Sequence, residues 1–166
     1  MPVKNPKELF LLLLSHARQS TERTSEILQE LSKAAQNQEV KEALEARAFV
    51  SDKMVGTIDE AFRLIGEKPV NLTGRLHDIF VEDYRKELGE IQSQEGKRLF
   101  VLAKASQLVH LRIGELVALV AAADMTGNYG VGVLLESCLG DALAFAERTR
   151  RLIRNIIEVK VAAKVA

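Results

Sequence analysis

The side chains best suited to chemistry are few in this chain, with three histidines and one cysteine among 166 residues. His110 could bind a metal, because imidazole is the commonest metal ligand in proteins. It could instead be a boundary histidine that hydrogen-bonds a neighbour beside Ser106 and Gly114. We favour the second interpretation, because a metal ligand needs converging partners and support behind it. His16 and His77 have no acidic or histidine partner at helical spacing, so both are expected to be structural or exposed.

Cys138 is the single cysteine, which excludes an internal disulfide and fits a reducing cytosol. Its neighbours are apolar, and a thiol in such surroundings behaves as a small hydrophobic group with little reactivity. Lys plus Arg and Asp plus Glu both number 23, so the formal net charge is zero. That balance argues against a broad electrostatic interaction with nucleic acid or an anionic membrane.

These residues must be positioned by helices. Apolar residues recur at alternating steps of four and three, which is the pattern of long helices with one inward stripe. We predict long helices over about 6–36, 39–66, 97–125 and 129–159, and a shorter crossover helix over about 72–90. No segment alternates with period two, so no sheet is expected. The prediction is a single all-α domain over residues 1–166, built as a four-helix bundle with an additional crossover helix.

The crossover helix is expected to begin at Asn71 or Thr73, since either side chain can cap free backbone N–H groups. Its inward residues are predicted to be Leu76, Ile79, Phe80, Tyr84 and Leu88. Further apolar residues, such as Leu111 and Val117, lie outside the inward stripe of their helix and need another cover. The crossover helix can cover part of this surface, and a second subunit can cover the rest. We therefore predict a homodimer that associates through long helices.

The middle of the four stripes holds Thr21, Val50, Val109 and Ala142. We therefore predict an uncharged and dry centre for the bundle. Replacing Thr21 or Val109 with Glu should destabilise the protein strongly, because each change would bury an unpaired charge among apolar residues.

The order hairpin, crossover helix, hairpin is the ferritin-like layout. Local stretches between Pro6 and about Ile157 carry the likeness further. They are Lys7-Glu8-Leu9-Phe10, Leu13-Leu14-Ser15, Leu31 with Ala34-Ala35 and Asn37, Ile58-Asp59 with Gly66, Ala103 to Leu119 around His110, and Leu134-Leu135 with Leu139-Gly140-Asp141. In this order and spacing they resemble the YciE/YciF-like branch of the bacterial ferritin-like superfamily. The resemblance implies Glu and His ligands on all four long helices and a site for two metal ions.

This chain departs from that pattern at most ligand places. By position they fall on Thr21, Arg47, Val50, Val109, His110, Leu111, Arg112, Asp141 and Ala142. His110 and Asp141 remain as possible donors, with Asp52 and Glu22 nearby in sequence, and this set does not close a ligand shell for iron or manganese. Asp141 is more simply explained as a solvated residue that pairs with Arg148.

Arg47 and Arg112 are the sharper departure, because a guanidinium at a ligand place repels a divalent cation. Two arrangements are open. Both arginines could lie inside the bundle and pair with Asp52, Glu22 or Asp141, or both could point outward along its side. A buried pair would stabilise the fold only if its donors are satisfied.

Together these observations predict a non-catalytic bundle with a degenerate metal site, of the stress-associated type that the resemblance implies. No metal or other cofactor is expected. The alternative is a di-iron or di-manganese redox or storage protein whose site is rebuilt from His110, Asp141, Asp52 and Glu22. We read no export signal, and the apolar run 9–14 is far shorter than the roughly 20 residues of a membrane span. A cytoplasmic protein without nucleic-acid or membrane partners is expected, and any protein partner is unidentified.

Overall fold

The chain folds into five α-helices, and no strand occurs within residues 3–165. The computed structural model describes the backbone of residues 3–165 and the side chains of residues 3–156. The helices are α1 (Pro6–Ala34), α2 (Gln38–Ile65), α3 (Leu76–Glu90), α4 (Gln94–Met125) and α5 (Tyr129–Val165). The predicted all-α fold class is confirmed.

Capping residues set most of the helix ends. Asn5, Asn37 and Ser93 precede α1, α2 and α4, and each side chain accepts a hydrogen bond from the backbone N–H three residues later, at 2.9, 3.1 and 3.0 Å. These bonds satisfy N–H groups that have no partner within the helix. Gly66 ends α2 in the left-handed conformation with φ of 70°, which glycine adopts without steric cost.

Two helical hairpins make the bundle. α1 packs along α2, α4 packs along α5, and the hairpins meet through α1 against α4 and α2 against α5. α3 carries the chain between the hairpins and contacts α1 and α4. On α5, every residue reached from Val131 to Ile156 by alternating steps of four and three is buried.

The start of the crossover helix differs from the prediction. α3 begins at Leu76, after Arg75, so neither Asn71 nor Thr73 caps it. Leu76 and Ile79 are exposed, and Tyr84 is the only fully buried α3 residue, so the predicted inward face of this helix is wrong for its first turn.

Two other bounds also differ. α4 begins at Gln94 instead of 97, because the Ser93 hydroxyl caps a first turn that is otherwise polar. α5 continues to Val165, beyond the predicted end near 159. Within Tyr129–Ile156 of α5, an 18-residue segment with a mean hydropathy of 1.3 is long and apolar enough to cross a membrane. In this fold its inward stripe is part of the core, and core helices of soluble proteins have the same composition.

The core consists of two apolar clusters. The larger one gathers residues from all five helices, including Tyr84 of α3. The smaller one lies at the end of the bundle that holds the α2 terminus and the α4–α5 turn, and it contains Phe10, Phe62 and Leu135. On α1 a run of buried hydroxyl residues separates the two clusters: Ser20, Thr21, Thr24 and Ser25.

Candidate functional site

The centre of the bundle holds a fully buried arginine. Arg112 of α4 is 1% exposed, and its Nη2 donates hydrogen bonds to Thr21 Oγ1 at 2.8 Å and to the Ala17 carbonyl oxygen at 3.2 Å, both on α1. Thr21 Oγ1 in turn donates to the same carbonyl at 2.6 Å. The hydroxyl run of α1 therefore supplies the oxygens that a buried guanidinium requires.

A carboxylate completes this arrangement. Arg112 Nη1 forms an ion pair with Glu115, one helical turn further along α4, and Ser20 Oγ donates to the other Glu115 oxygen at 3.3 Å. The Glu115 side chain remains 26% exposed. Sequence reasoning missed Glu115, although its spacing of three residues from Arg112 places both on one side of a helix.

Arg47 of α2 is also inside, in a different environment. It is 4% exposed, and its Nε and Nη1 atoms have no hydrogen-bond partner among the side chains and backbone of the described chain. Its guanidinium carbon lies 5.7 Å from the centre of the Phe145 ring on α5, a cation–π distance. No carboxylate of the described residues lies within ion-pair distance of it.

The two buried cations affect each other. Burial, together with the positive charge of Arg47, lowers the pKa of Arg112 to about 9. Burial also lowers the pKa of Arg47, while the charge of Asp141 opposes that shift. Burial is the main cause of both shifts, because a charged group loses hydration inside the protein; for Arg112 the like charge of Arg47 adds repulsion. With a pKa of about 9, Arg112 still carries its charge at neutral pH.

The prediction of an uncharged centre is therefore wrong, and the inward arrangement of Arg47 and Arg112 is the correct one of the two. Thr21, Val109 and Ala142 are buried as expected, but Val50 is only partly buried. The expected carboxylate partners are also wrong. Glu115 pairs with Arg112 instead, because a side chain of α4 reaches it more easily than one from another helix.

The four residual metal-ligand candidates do not come together. Asp52 is exposed, and Glu22 is exposed and pairs with Arg18 at 3.5 Å. His110 is exposed, with Nδ1 2.7 Å from the Ser106 carbonyl oxygen, which matches the hydrogen-bonded boundary histidine that we favour. Asp141 is exposed and forms no ion pair with Arg148 within the described chain, so that predicted pair is wrong.

The residues present do not fit the two-metal site that the resemblance implies. Within the part of the chain that the structure describes, no group of three His, Cys, Asp or Glu side chains could hold a metal ion. The centre instead offers Arg47 and Arg112, whose charges repel a divalent cation. Glu115 already neutralises one of these charges, so it is not a free donor.

Cys138 lies in the same region of α5. It is buried, and burial together with the negative charge of Asp141 raises the pKa of its thiol. A raised pKa keeps the sulfur protonated and therefore unreactive, as the sequence suggests. Among the described residues, the site contains the charged side chains of Arg47, Arg112 and Glu115 but no activated nucleophile.

The architecture is that of a ferritin-like protein, two helical hairpins joined by a crossover helix. Residues 5–162 match the family model described as Domain of unknown function (DUF892). The chain belongs to this family. No curated protein sequence gives a significant match.

Solved structures share this fold. The E. coli stress protein YciF is 20% identical, with a TM-score of 0.87 over 94% of this chain and 99% of that one. YcfI of Rhodopseudomonas palustris, for which a structural role has been suggested, is 19% identical, with a TM-score of 0.84 over 89% and 94%. A protein from Xanthomonas campestris is 15% identical, with a TM-score of 0.77 over 98% and 100%. The expected YciE/YciF-like branch is thus confirmed, and these distant likenesses establish the fold alone.

Proposed function

We propose that this protein is a non-catalytic ferritin-like bundle that acts in a bacterial stress setting as a dimer, without a bound metal. The observation that carries the proposal is the pair of buried arginines, Arg47 and Arg112, at the centre of the bundle. The fold of the E. coli stress protein YciF supports the link to stress. The suggested structural role of YcfI supports a function without catalysis.

The physical reason is charge. A divalent cation at the centre would face two fixed positive charges in a medium that screens them poorly. Arg112 occupies the space between α1 and α4, and it already uses the oxygens of Thr21 and Glu115. Arg112 thus cross-links α1 and α4 from within, as a coordinated ion would, and it needs no ion supply.

The first test is elemental analysis of untagged protein purified after growth with added iron and manganese. We expect far less than about one metal ion per chain, whereas an intact ferritin-like site holds two. About one or two ions per chain would overturn the proposal in favour of a di-iron or di-manganese redox or storage protein.

The variant His110→Ala separates the two outcomes further. If a site were rebuilt from His110, Asp141, Asp52 and Glu22, this change would remove the bound metal. On our proposal it changes nothing in the metal content. His16→Ala is the matched control, because His16 is also exposed and lies on a different helix.

The dimer is proposed to form through the outer face of the α4–α5 hairpin. Helical spacing places Gly114, Val117 and Ala121 on one outward side of α4, and Val133 and Gly140 on the outward side of α5. Val117 is 52% exposed and Val133 is 66% exposed. Small and apolar residues on two adjacent helices let a second copy approach closely and bury apolar surface.

The double variant Val117→Glu/Val133→Glu tests this surface. We expect a dimer for the parent and a monomer for the variant in sedimentation or light-scattering measurements, because four carboxylates would face each other across the interface. Leu64→Glu is the matched control, since Leu64 is 55% exposed on α2, outside this face. A monomeric parent, or a variant that stays dimeric, would refute the interface.

The compartment is proposed to be the cytoplasm, without nucleic-acid or membrane partners. A balanced net charge and a buried, unpaired thiol support this assignment. A gel-shift titration over a range of salt concentrations checks the first partner class, and binding that weakens steeply with salt would contradict it.

A further inference from the structure

We propose that the cavity between α2 and α5 at Arg47 binds a small monocarboxylate that carries an apolar group. The carboxylate would accept hydrogen bonds from the Arg47 guanidinium, and the apolar group would lie against the cavity wall. This site is separate from the proposed dimer face and from the question of metal content.

The first support is the unsatisfied guanidinium. Arg47 is only 4% exposed, yet its Nε and Nη1 atoms lack hydrogen-bond partners within the described chain. A buried cation with free donors is costly, so proteins usually supply it with an anion. The buried guanidinium of Arg112 has partners from this chain, an ion pair with Glu115 and a hydrogen bond to Thr21. Arg47 has no equivalent.

The second support is the cavity itself. Arg47 lines a cavity of about 230 Å³, whose wall also includes Val50, Phe145 and three alanines. The space is too small for a nucleotide, but it holds a carboxylate with a short aliphatic or aromatic group. The apolar wall favours such a group over a fully hydrated ion.

The third support is the charge around the cavity. The charged residues of the lining are Arg47, Arg148 and Asp141. Two positive charges and one negative charge leave one positive charge, which a monoanion neutralises and a dianion would overcompensate. Arg148 is exposed, at the rim, where it can attract an incoming anion. A planar carboxylate also matches the fork of guanidinium donors.

The experiment is a titration of the full-length protein with sodium benzoate, followed by calorimetry and by the thermal midpoint. We expect benzoate to bind the parent and raise its midpoint, and benzamide, which has the same shape without the charge, to do neither. Arg47→Met should weaken benzoate binding by about 10- to 100-fold, the loss expected for a hydrogen bond to a charged group. Arg151→Met is the control, because Arg151 is exposed on α5 and pairs with Glu147, outside the cavity.

Misfolding can be told apart from lost binding. Replacing an unsatisfied buried charge with an apolar side chain of similar length is neutral or stabilising, so Arg47→Met should melt at or above the parent without benzoate. The proposal would be overturned by no benzoate binding by the parent, by equal binding by Arg47→Met, or by equal binding of chloride and inorganic phosphate by the parent. Dissociation of the dimer in Arg47→Met would also overturn it, because the anion would then be a side chain of the second copy.

Discussion

Arg47 and Arg112 are both buried, but their surroundings differ in kind. Arg112 has a carboxylate, a hydroxyl and a carbonyl oxygen as partners, which offset part of its lost hydration. Arg47 lies over the face of Phe145, and its Nε and Nη1 atoms have no hydrogen-bond partner among the described residues. One guanidinium is thus a structural cross-link, and the other retains unused donors beside a cavity.

The position of Arg112 beside Thr21 predicts unequal effects for two substitutions at the centre, Val109→Glu and Thr21→Glu. Val109→Glu should lower the free energy of unfolding by about 3–5 kcal/mol, because it buries a charge among apolar residues. Thr21→Glu should cost clearly less, because Arg112 Nη2 lies 2.8 Å from Thr21 Oγ1 and can pair with the new carboxylate. Denaturant unfolding of the two variants and the parent measures both values.

Comparing the losses of stability in Thr21→Glu and Val109→Glu separates the effect of burial from the effect of pairing with Arg112. Both positions are almost fully buried, so burial alone predicts equal losses. Thr21→Glu combined with Arg112→Met should restore a loss like that of Val109→Glu. Equal losses in the two single variants would show that Arg112 does not stabilise a carboxylate at position 21.

Sequence periodicity identified the inward positions Thr21, Val109 and Ala142, because apolar spacing reports which side of a helix is buried. Periodicity could not decide whether the side chains of Arg47 and Arg112 lie inside the bundle or in solvent. A long side chain at the edge of a stripe can extend to solvent or turn inward, and the choice depends on oxygens that other helices supply. The partner of Arg112 was within reach of sequence reasoning through its spacing to Glu115.

At the scale of the helices, α2 contains two glycines in opposite roles. Gly66 ends the helix with φ of 70°, so Gly66→Ala should lower the free energy of unfolding by about 1–2 kcal/mol. Gly56 lies inside the helix, and an added Cβ there would meet no atom within 4 Å. Gly56→Ala should therefore raise the free energy of unfolding by about 0.5–1 kcal/mol. Thermal or urea unfolding that gives the same sign for both would contradict this account.

α3 is attached to the bundle by exposed ion pairs and by apolar packing. Arg23 on α1 pairs with Asp78 at 2.6 Å, and Arg85 on α3 pairs with Glu30 at 2.6 Å. Exposed pairs of this kind contribute little each, so we expect this helix to be the most easily detached. Tyr84, packed into the larger cluster, is its main apolar anchor.

His77 near the start of α3 makes this attachment sensitive to acid. Burial, with the positive charges of Arg112 and Arg23, lowers the pKa of His77. Between that lowered pKa and the ordinary value near 6.5, the unfolded chain binds more protons than the folded one. The stability present above about pH 6.5 should therefore fall as the pH decreases through this range.

The variant His77→Gln should flatten that dependence. The measurement is the free energy of unfolding at a series of pH values between about 7 and 5. His16→Gln is the control, because His16 is exposed on α1 and should leave the slope of the parent unchanged. An unchanged slope in His77→Gln would show that other groups cause the acid sensitivity.

Helix existence was predictable for all five elements, because each long helix has a sustained apolar period and a polar or glycine stop. The residues at which the helices begin were less predictable. α3 begins after Arg75, which makes no side-chain cap, although Asn71 and Thr73 are better capping residues. α4 begins earlier than its apolar pattern, since Ser93 caps a first turn that is otherwise polar. Local capping preference is weak compared with packing, so it decides a boundary only where packing is neutral.

At the scale of the whole molecule, the core is divided. The smaller apolar cluster, at the end with Phe62 and Leu135, receives no residue from α3, whereas the larger one does. On α1 four buried hydroxyl residues stand between them. Fewer apolar contacts hold the smaller end, so its helices should separate more readily.

The divided core predicts that the two ends of the bundle unfold locally to different extents. Backbone amides of 119–123 and 131–135 should take up deuterium sooner than those of 101–109, as a cooperative unit that opens while the rest stays folded. Peptide-resolved exchange followed by mass spectrometry would show two protection levels along α4. A single level across the whole helix would mean that the hydroxyl run joins the two halves into one unit.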